Sequence, residues 1–285
     1  MGTVSAVIIT FNEEDNLDNC LSRLTWCDEI VVVDCGSTDN TLAICRNYNC
    51  TVHYRKFDGY GPQKQFAVNC ARNEWVLCLD ADEVLTHSAI KEIQQVLRNP
   101  DPDVTGYLLP ISLVFMGQQF RYGKECKRYF LRLFNKKAGN FNDRSVHEGV
   151  KLQGKTVKLK HKVLHYSYRC IHHYMEKLNK YSTYGSELYY KSTRKKSVFS
   201  VIMAVPLNFL KYFFVEGNFL NGEKGFYWSV LNSVYHFVKY IKLRELYYLQ
   251  NDKAGTIRIP VKGVNDKNES LPPALKKRER LPETA

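Results

Sequence analysis

The stretch "VLCLDADEVL" (76–85) sets an apolar run, Val76 to Leu79, against three carboxylates in four positions: Asp80, Asp82 and Glu83. A strand that stays apolar on both faces belongs inside a parallel sheet covered by helices. Acids gathered at its end need a reason in a chain of net charge +12. Two readings stand. The carboxylates hold a divalent cation, since two such charges side by side repel unless a cation lies between them; or they cap the helix that follows.

Working outward, "VSAVIIT" (4–10), "EIVVVD" (29–34), "TVHYRKF" (51–57) and "WVLCLD" (75–80) read as four strands. The segments between them read as helices. "FNEEDN" opens one that runs to about Leu24. The turn "CGSTDNT" leads into another over about 39–48. "GPQKQFAVNCA" (61–71) is entered through Pro62, and "HSAIKEIQQVL" (87–97) carries Ile90, Ile93 and Leu97 at helical spacing. This alternation predicts an α/β fold with a mainly parallel sheet flanked by helices. Ligands of such sheets bind beyond the carboxyl ends of the strands, here Thr10, Asp34 and Asp80.

After the breaker "NPDPD" (99–103), "GYLLPISLVFMG" and "RYFLRLFNK" read as further strands with an antiparallel element. From residue 172 the chain turns helical, basic and tyrosine-rich, then strongly apolar at helical spacing. The expected organisation is a catalytic domain over 1–170 and a helical, basic and aromatic extension over 171–250. A polar, flexible tail follows over 251–285. Amphipathic helices with basic flanks suit a membrane interface or an oligomer contact.

The 41 Lys and Arg against 29 Asp and Glu predict anionic partners: phosphates, nucleic acid or an anionic membrane face. No recognisable nucleic-acid module is present, and acids occupy the strand ends, which argues against nucleic acid. Nine scattered cysteines without a CxxC pair read as reduced thiols of a cytosolic protein. No secretory signal is expected, nor any membrane span, for want of about 18 uninterrupted apolar residues. A nucleotidyltransferase would need a glycine-rich, basic loop after the first strand, and "FNEEDN" is neither.

"VIITFNEE", "VVVDCGSTDNT" and "WVLCLDADE", in that order, resemble the family 2 glycosyltransferases, which have the GT-A nucleotide-diphospho-sugar transferase fold. "VHE" (146–148), the strand "KVLHYSY" and "GNFLNGEKGFYWSVLNSVYHFVKY" resemble the subgroup of lipopolysaccharide core biosynthesis β-glucosyltransferases. The resemblance implies an inverting, metal-dependent hexosyltransferase. A UDP-hexose would be the donor and Mg²⁺ or Mn²⁺ the cofactor. The acceptor would be a hydroxyl of a glycan or glycolipid in lipopolysaccharide core or other cell-surface polysaccharide synthesis.

By the same resemblance, Thr10, Asn12 and Glu13 line the nucleotide pocket, and Asp34 accepts a hydrogen bond from the base. Asp80 and Asp82 bind the metal, Asp82 directly. Capping of the turn at Gly36 and Ser37 is the other reading of Asp34. Lys64, ahead of Arg72, is the candidate diphosphate contact, with a solvated surface role as its alternative. In "NDRSVHEGV" (142–150) Glu148 is the candidate base, His147 its orienting neighbour and Asp143 the runner-up. His165 is a third metal ligand, a diphosphate contact or simply a satisfied histidine. A lipid-linked acceptor would place the protein, alone or as a homo-oligomer, peripherally on the cytoplasmic face of the inner membrane. The competing function is a nucleic-acid- or anion-binding protein on an inactive glycosyltransferase-like scaffold.

Overall fold

The computed structural model describes residues 2–141, 149–168, 170–193 and 195–252. Two compact units divide the described chain. One holds the residues up to Ser112 together with Arg128–Tyr166; the other holds Leu113–Lys127 and the chain from Ser167 onward.

The first unit begins with β1 (Val4–Thr10), α1 (Glu14–Leu21), β2 (Glu29–Asp34), α2 (Thr41–Asn47), β3 (Thr51–Tyr54), α3 (Tyr60–Cys70) and β4 (Trp75–Asp80). Next come β5 (Glu83–Leu85), α4 (His87–Arg98) and β6 (Val104–Phe115), whose last residues belong with β7 (Gln118–Gln119) to the second unit. The first unit closes with β8 (Arg128–Asn135), β9 (Gly139–Phe141), β10 (Val150–Leu152), β11 (Lys155–Lys158) and β12 (Val163–His165).

The sheet runs β3-β2-β1-β4-β8-β6-β12-β5, with β11 beside β6. β1 pairs in parallel with both β2 and β4, and β2 with β3. Beyond β4 the sheet turns mixed, because β8 runs antiparallel to both β4 and β6. The mainly parallel sheet of the sequence reading is therefore its first half. α1 ends at Leu21 rather than near Leu24, and β3 stops at Tyr54 because it has a partner on one side only.

Burial on both faces explains the uninterrupted apolar strands. On one face Ala6, Ile8, Val32, Leu77 and Leu79 pack with Leu17 and Leu21 of α1 and Ile93 and Leu97 of α4. On the other, Val7, Val31, Val33 and Val76 pack with Ala67 and Val68 of α3. Alternate residues of one strand thus serve different layers, and each buried Val, Leu or Ile contributes roughly 1.5–3 kcal/mol. Thr86 caps α4 by accepting from the Ala89 N–H, which starts that helix directly after β5.

The second unit is helical: α5 (Ile171–Lys191), α6 (Val198–Ile202), α7 (Ala204–Leu210), a π-helical turn (Lys211–Val215), a 3-10 turn (Asn218–Asn221) and α8 (Gly222–Asp252). Its core is an aromatic knot. Trp228 of α8 lies against Phe115, Phe120, Tyr168 and Tyr174 with ring centroids 5.3–6.0 Å away. Edge-on and tilted pairs of this kind suit the quadrupoles of the rings.

Candidate active site

Register fixes the site. Thr10 lies opposite Asp34, and Ile9 opposite Asp80, so the carboxyl ends of β1, β2 and β4 finish level. The chain crosses from β3 back past β1 to β4, making the β1/β4 edge the switch point where doubly wound sheets take ligands.

Beyond β2, both oxygens of Asp34 serve the turn. Oδ2 accepts from the Gly36 and Ser37 N–H groups at 2.7 and 2.9 Å, and Oδ1 accepts from Ser37 Oγ at 2.5 Å. The capping reading of Asp34 is therefore realised; Oδ1, with a single donor from the turn, retains acceptor capacity. The loops after β1 and β2 are stitched together. Asn12, in the left-handed region at φ +53°, donates its N–H to Ser37 Oγ and accepts from the Thr38 N–H. The Glu13 N–H donates to Thr41 Oγ1, and the Glu14 N–H to Asp39. Asn tolerates a positive φ better than most side chains, which suits it to this crossing. Thr10 Oγ1 is buried without a hydrogen-bond partner.

Beyond β4 the acids are held by cations. Lys64 Nζ lies 2.7 Å from Asp80 Oδ1, and Arg132 Nη2 lies 2.9 Å from Asp80 Oδ2 and 2.5 Å from Glu83 Oε1. Lys64, Arg132 and Glu83 are buried. Burial alone would raise the Asp80 carboxyl, but the charges of Lys64 and Arg132 hold it well below the usual carboxylate range. Burial raises Glu83, against the pull of Arg132. Arg132 Nε is itself buried and unpartnered.

β12 brings the last member. It pairs antiparallel with β5, setting His165 opposite Glu83, and the Tyr166 N–H donates to the Asp82 carbonyl at 2.8 Å. His165 Nε2 thereby stands 3.2 Å from Asp82 Oδ2. Burial opposes the imidazolium, but the hydrogen bond and charge of Asp82 outweigh it and raise the His165 pKa. Asp80 and His165 each keep 33% side-chain exposure and Asp82 19%, so beyond β4 these are the side chains most open to a ligand.

The structure thus gathers Thr10, Asn12, Glu13, Asp34, Lys64, Asp80, Asp82 and His165 around the ends of β1, β2 and β4. Among the described residues no three His, Cys, Asp or Glu side chains are grouped to hold a metal; Lys64 and Arg132 contact the two oxygens of Asp80, while Asp82 and His165 stand side by side. Arg72 is also elsewhere: its Nε donates to Glu29 Oε1 at 2.7 Å, at the amino end of β2. Glu148, His147 and Asp143 lie outside the described residues. Arg132 was missed by sequence reasoning. Its signal is an arginine set between Leu131 and Leu133 in the middle of the strand "RYFLRLFN".

A 3-2-1-4 sheet with this polar cluster beyond its switch point is the architecture of a GT-A nucleotide-sugar transferase. Residues 5–150 match the family described as glycosyl transferase family 2, and the chain belongs to that family. It is a glycosyltransferase, 30% identical over 254 residues to the lipopolysaccharide core biosynthesis glycosyltransferase LpsC of Rhizobium meliloti, across 87% of this chain and 94% of that one. A glycosyltransferase of Rickettsia typhi is 31% identical across 86% and 88% of the two chains. Among solved structures, S. aureus TarS residues 1–349 give a TM-score of 0.41 at 17% identity, covering 90% of this chain and 93% of that one.

Proposed function

We propose that the protein transfers a hexosyl unit, with inversion, from a uridine diphosphate sugar to a hydroxyl of a glycan or glycolipid acceptor in lipopolysaccharide core synthesis. The observation that carries this reading is the pairing of Asp82 with His165 beside the buried cations Lys64 and Arg132. The Asp82 carboxylate suits Mg²⁺ or Mn²⁺, which take one or two protein ligands and complete their shell with substrate phosphates and water, and the imidazole beside it favours Mn²⁺ of the two. Asp82 and His165 would hold the ion, and the bound cation would offset charge on the departing diphosphate.

The remaining roles fall to the chain. Lys64 and Arg132, fixed by Asp80 and Glu83, present positive charge where the diphosphate lies. Arg132 Nε and Thr10 Oγ1, buried and unpaired, are donors in want of an acceptor, and a phosphate or ribose oxygen supplies one. Asp34 Oδ1 accepts from the imide N–H of uracil, beside a slot kept rigid by the stitched loops of Asn12 and Glu13. The acceptor oxygen attacks the anomeric carbon, its proton passes to the Glu148 carboxylate, and the bond to the diphosphate oxygen breaks. The acceptor lipid places the enzyme peripherally on the cytoplasmic face of the inner membrane. No described helix is long and apolar enough to cross a membrane.

Thermal shift with UDP, in the presence and absence of Mn²⁺, tests the site. UDP with Mn²⁺ should raise the Tm with ligand concentration, and Asp82→Ala or His165→Ala should remove the Mn²⁺-dependent part. A Tm indifferent to UDP and Mn²⁺, or unchanged responses in both variants, would overturn the assignment.

A further inference from the structure

We infer that the surface built from α6, α7, the π-helical turn and the 3-10 turn seats the protein on an anionic lipid bilayer. This deepens the membrane-facing part of the reading above but rests on residues of the second unit alone. Among the described residues, the large apolar side chains left exposed crowd into 198–227. Phe199 is 72% exposed, Ile202 62% and Val215 82%, with Leu207, Phe214 and Leu220 each above 50%. The π-helical turn, Lys-Tyr-Phe-Phe-Val, buries none of its five residues. Exposed apolar side chains gathered in this way mark a contact with a membrane or another protein.

The turn is built with its polarity inverted. Asn218 and Asn221 are buried, while Phe219 and Leu220 between them are exposed. Asn221 Oδ1 accepts from the Arg121 and Tyr122 N–H groups, its Nδ2 donates to the Tyr122 carbonyl, and Asn218 Nδ2 donates to the Tyr212 carbonyl. Gly225 lets α8 close on this turn, since a Cβ there would stand 1.9 Å from the Asn218 carbonyl oxygen. The asparagines spend their hydrogen bonds on the backbone, and the turn is held firm with its apolar side chains outward.

Charge selects the occupant. From 167 to 252, Lys and Arg outnumber Asp and Glu two to one, with "KSTRKK" (191–196) just before the patch. Within the patch Lys211 and Lys224, balanced by Glu216 and Glu223, lie over the rings of Tyr212 and Tyr227, the lysine–tyrosine edge that suits a bilayer interface, and the positive excess flanks the patch. Beside Leu220 a cleft of about 540 Å³ is lined by Gln118, Arg121 and Tyr122, giving a lipid headgroup a cationic and polar seat at the rim of the apolar surface. Basic residues beside shallowly inserted apolar side chains fit an anionic leaflet better than a second copy carrying the same positive excess.

The test is cosedimentation of the full chain with vesicles of phosphatidylcholine alone or mixed with phosphatidylglycerol. The wild type should partition onto the anionic vesicles, less so at high salt. The double substitution Phe214→Ser, Val215→Asp should weaken partitioning at least about tenfold, with an unchanged far-UV spectrum. Asp82→Ala, in the other unit, should bind vesicles like the wild type, so a failure of the donor-site reading shows as lost UDP response with vesicle binding intact. No sedimentation with anionic vesicles, or a double variant that sediments like the wild type, would overturn the inference. So would a wild-type dimer by light scattering that the double variant splits, which would give the surface to a second copy.

Discussion

The strand-end cluster and the π-helical region handle their side chains in opposite ways. At the ends of β4 and β5 the chain buries Lys64, Arg132 and Glu83. Around the π-helical turn it leaves Phe214, Val215 and Leu220 exposed. Burial here follows the supply of partners more closely than hydropathy. The charges enter the interior because each finds its opposite within 3 Å, and the apolar side chains around the turn stay out. The first arrangement is closed within the chain; the second is left open to something beyond it.

Breaking the closed cluster carries the largest expected effect. Arg132→Met strands Glu83 and half of Asp80, and removing one partner of a buried pair costs roughly 3–5 kcal/mol. Urea denaturation reads this directly, and a loss under about 1 kcal/mol would mean that water or rearrangement relieves the acids.

The second unit has a half-buried ionisable group, His236. Burial, with Lys239 and Lys211 nearby, lowers His236 from 6.5 to about 4. Its Nε2 lies 2.7 Å from Tyr212 Oη, and its Nδ1 is buried and unpartnered. The unfolded chain takes up this proton first. His236 therefore contributes full stability above pH 6.5, loses it as the pH falls toward about 4, and changes nothing further below. Urea midpoints for the wild type and His236→Gln, measured across that range, should converge as the pH drops.

A smaller effect sharpens the link to the ligand. Thr10→Val removes a buried hydroxyl that has no partner, so stability should rise by about 1 kcal/mol while UDP binding weakens. A gain in stability with unchanged UDP response would make that hydroxyl a packing accident.

The smallest effect belongs to the open surface. Val215→Asp, at 82% exposure, should leave the unfolding free energy within about 0.5 kcal/mol of wild type. A larger loss by urea denaturation would mean that the side chain packs within the fold after all.

Much of the first unit was legible because parallel strands advertise themselves. β1, β2 and β4 each carry an apolar run, Ala6–Ile9, Ile30–Val33 and Trp75–Leu79, that stops at Thr10, Asp34 and Asp80, so strands and candidate site came from one signal. His165 was readable only through the resemblance; its neighbour Asp82 depends on the pairing of β12 with β5, two three-residue strands too short to carry a period. Arg132 was hidden for a related reason. Which face of β8 meets the acids is set by its antiparallel registers with β4 and β6, not by anything within the strand. The second unit gave up its helical character but not its breaks, because 198–221 is apolar at helical spacing throughout while its asparagines and glycines bend it into separate turns.

The pairing of Arg132 with Asp80 and Glu83 spans 52 and 49 residues of chain, and His165 joins later still. Domains fold as they are synthesised, amino end first. When β1 to β5 have left the ribosome, their three acids have Lys64 alone to answer them. Until β8 and then β12 emerge, the parallel half of the sheet lacks Arg132 and His165, the later partners of these acids. The finished strand-end cluster is thus a late product of translation, and a fragment ending near residue 112 should remain a loosely folded intermediate rather than a small stable domain.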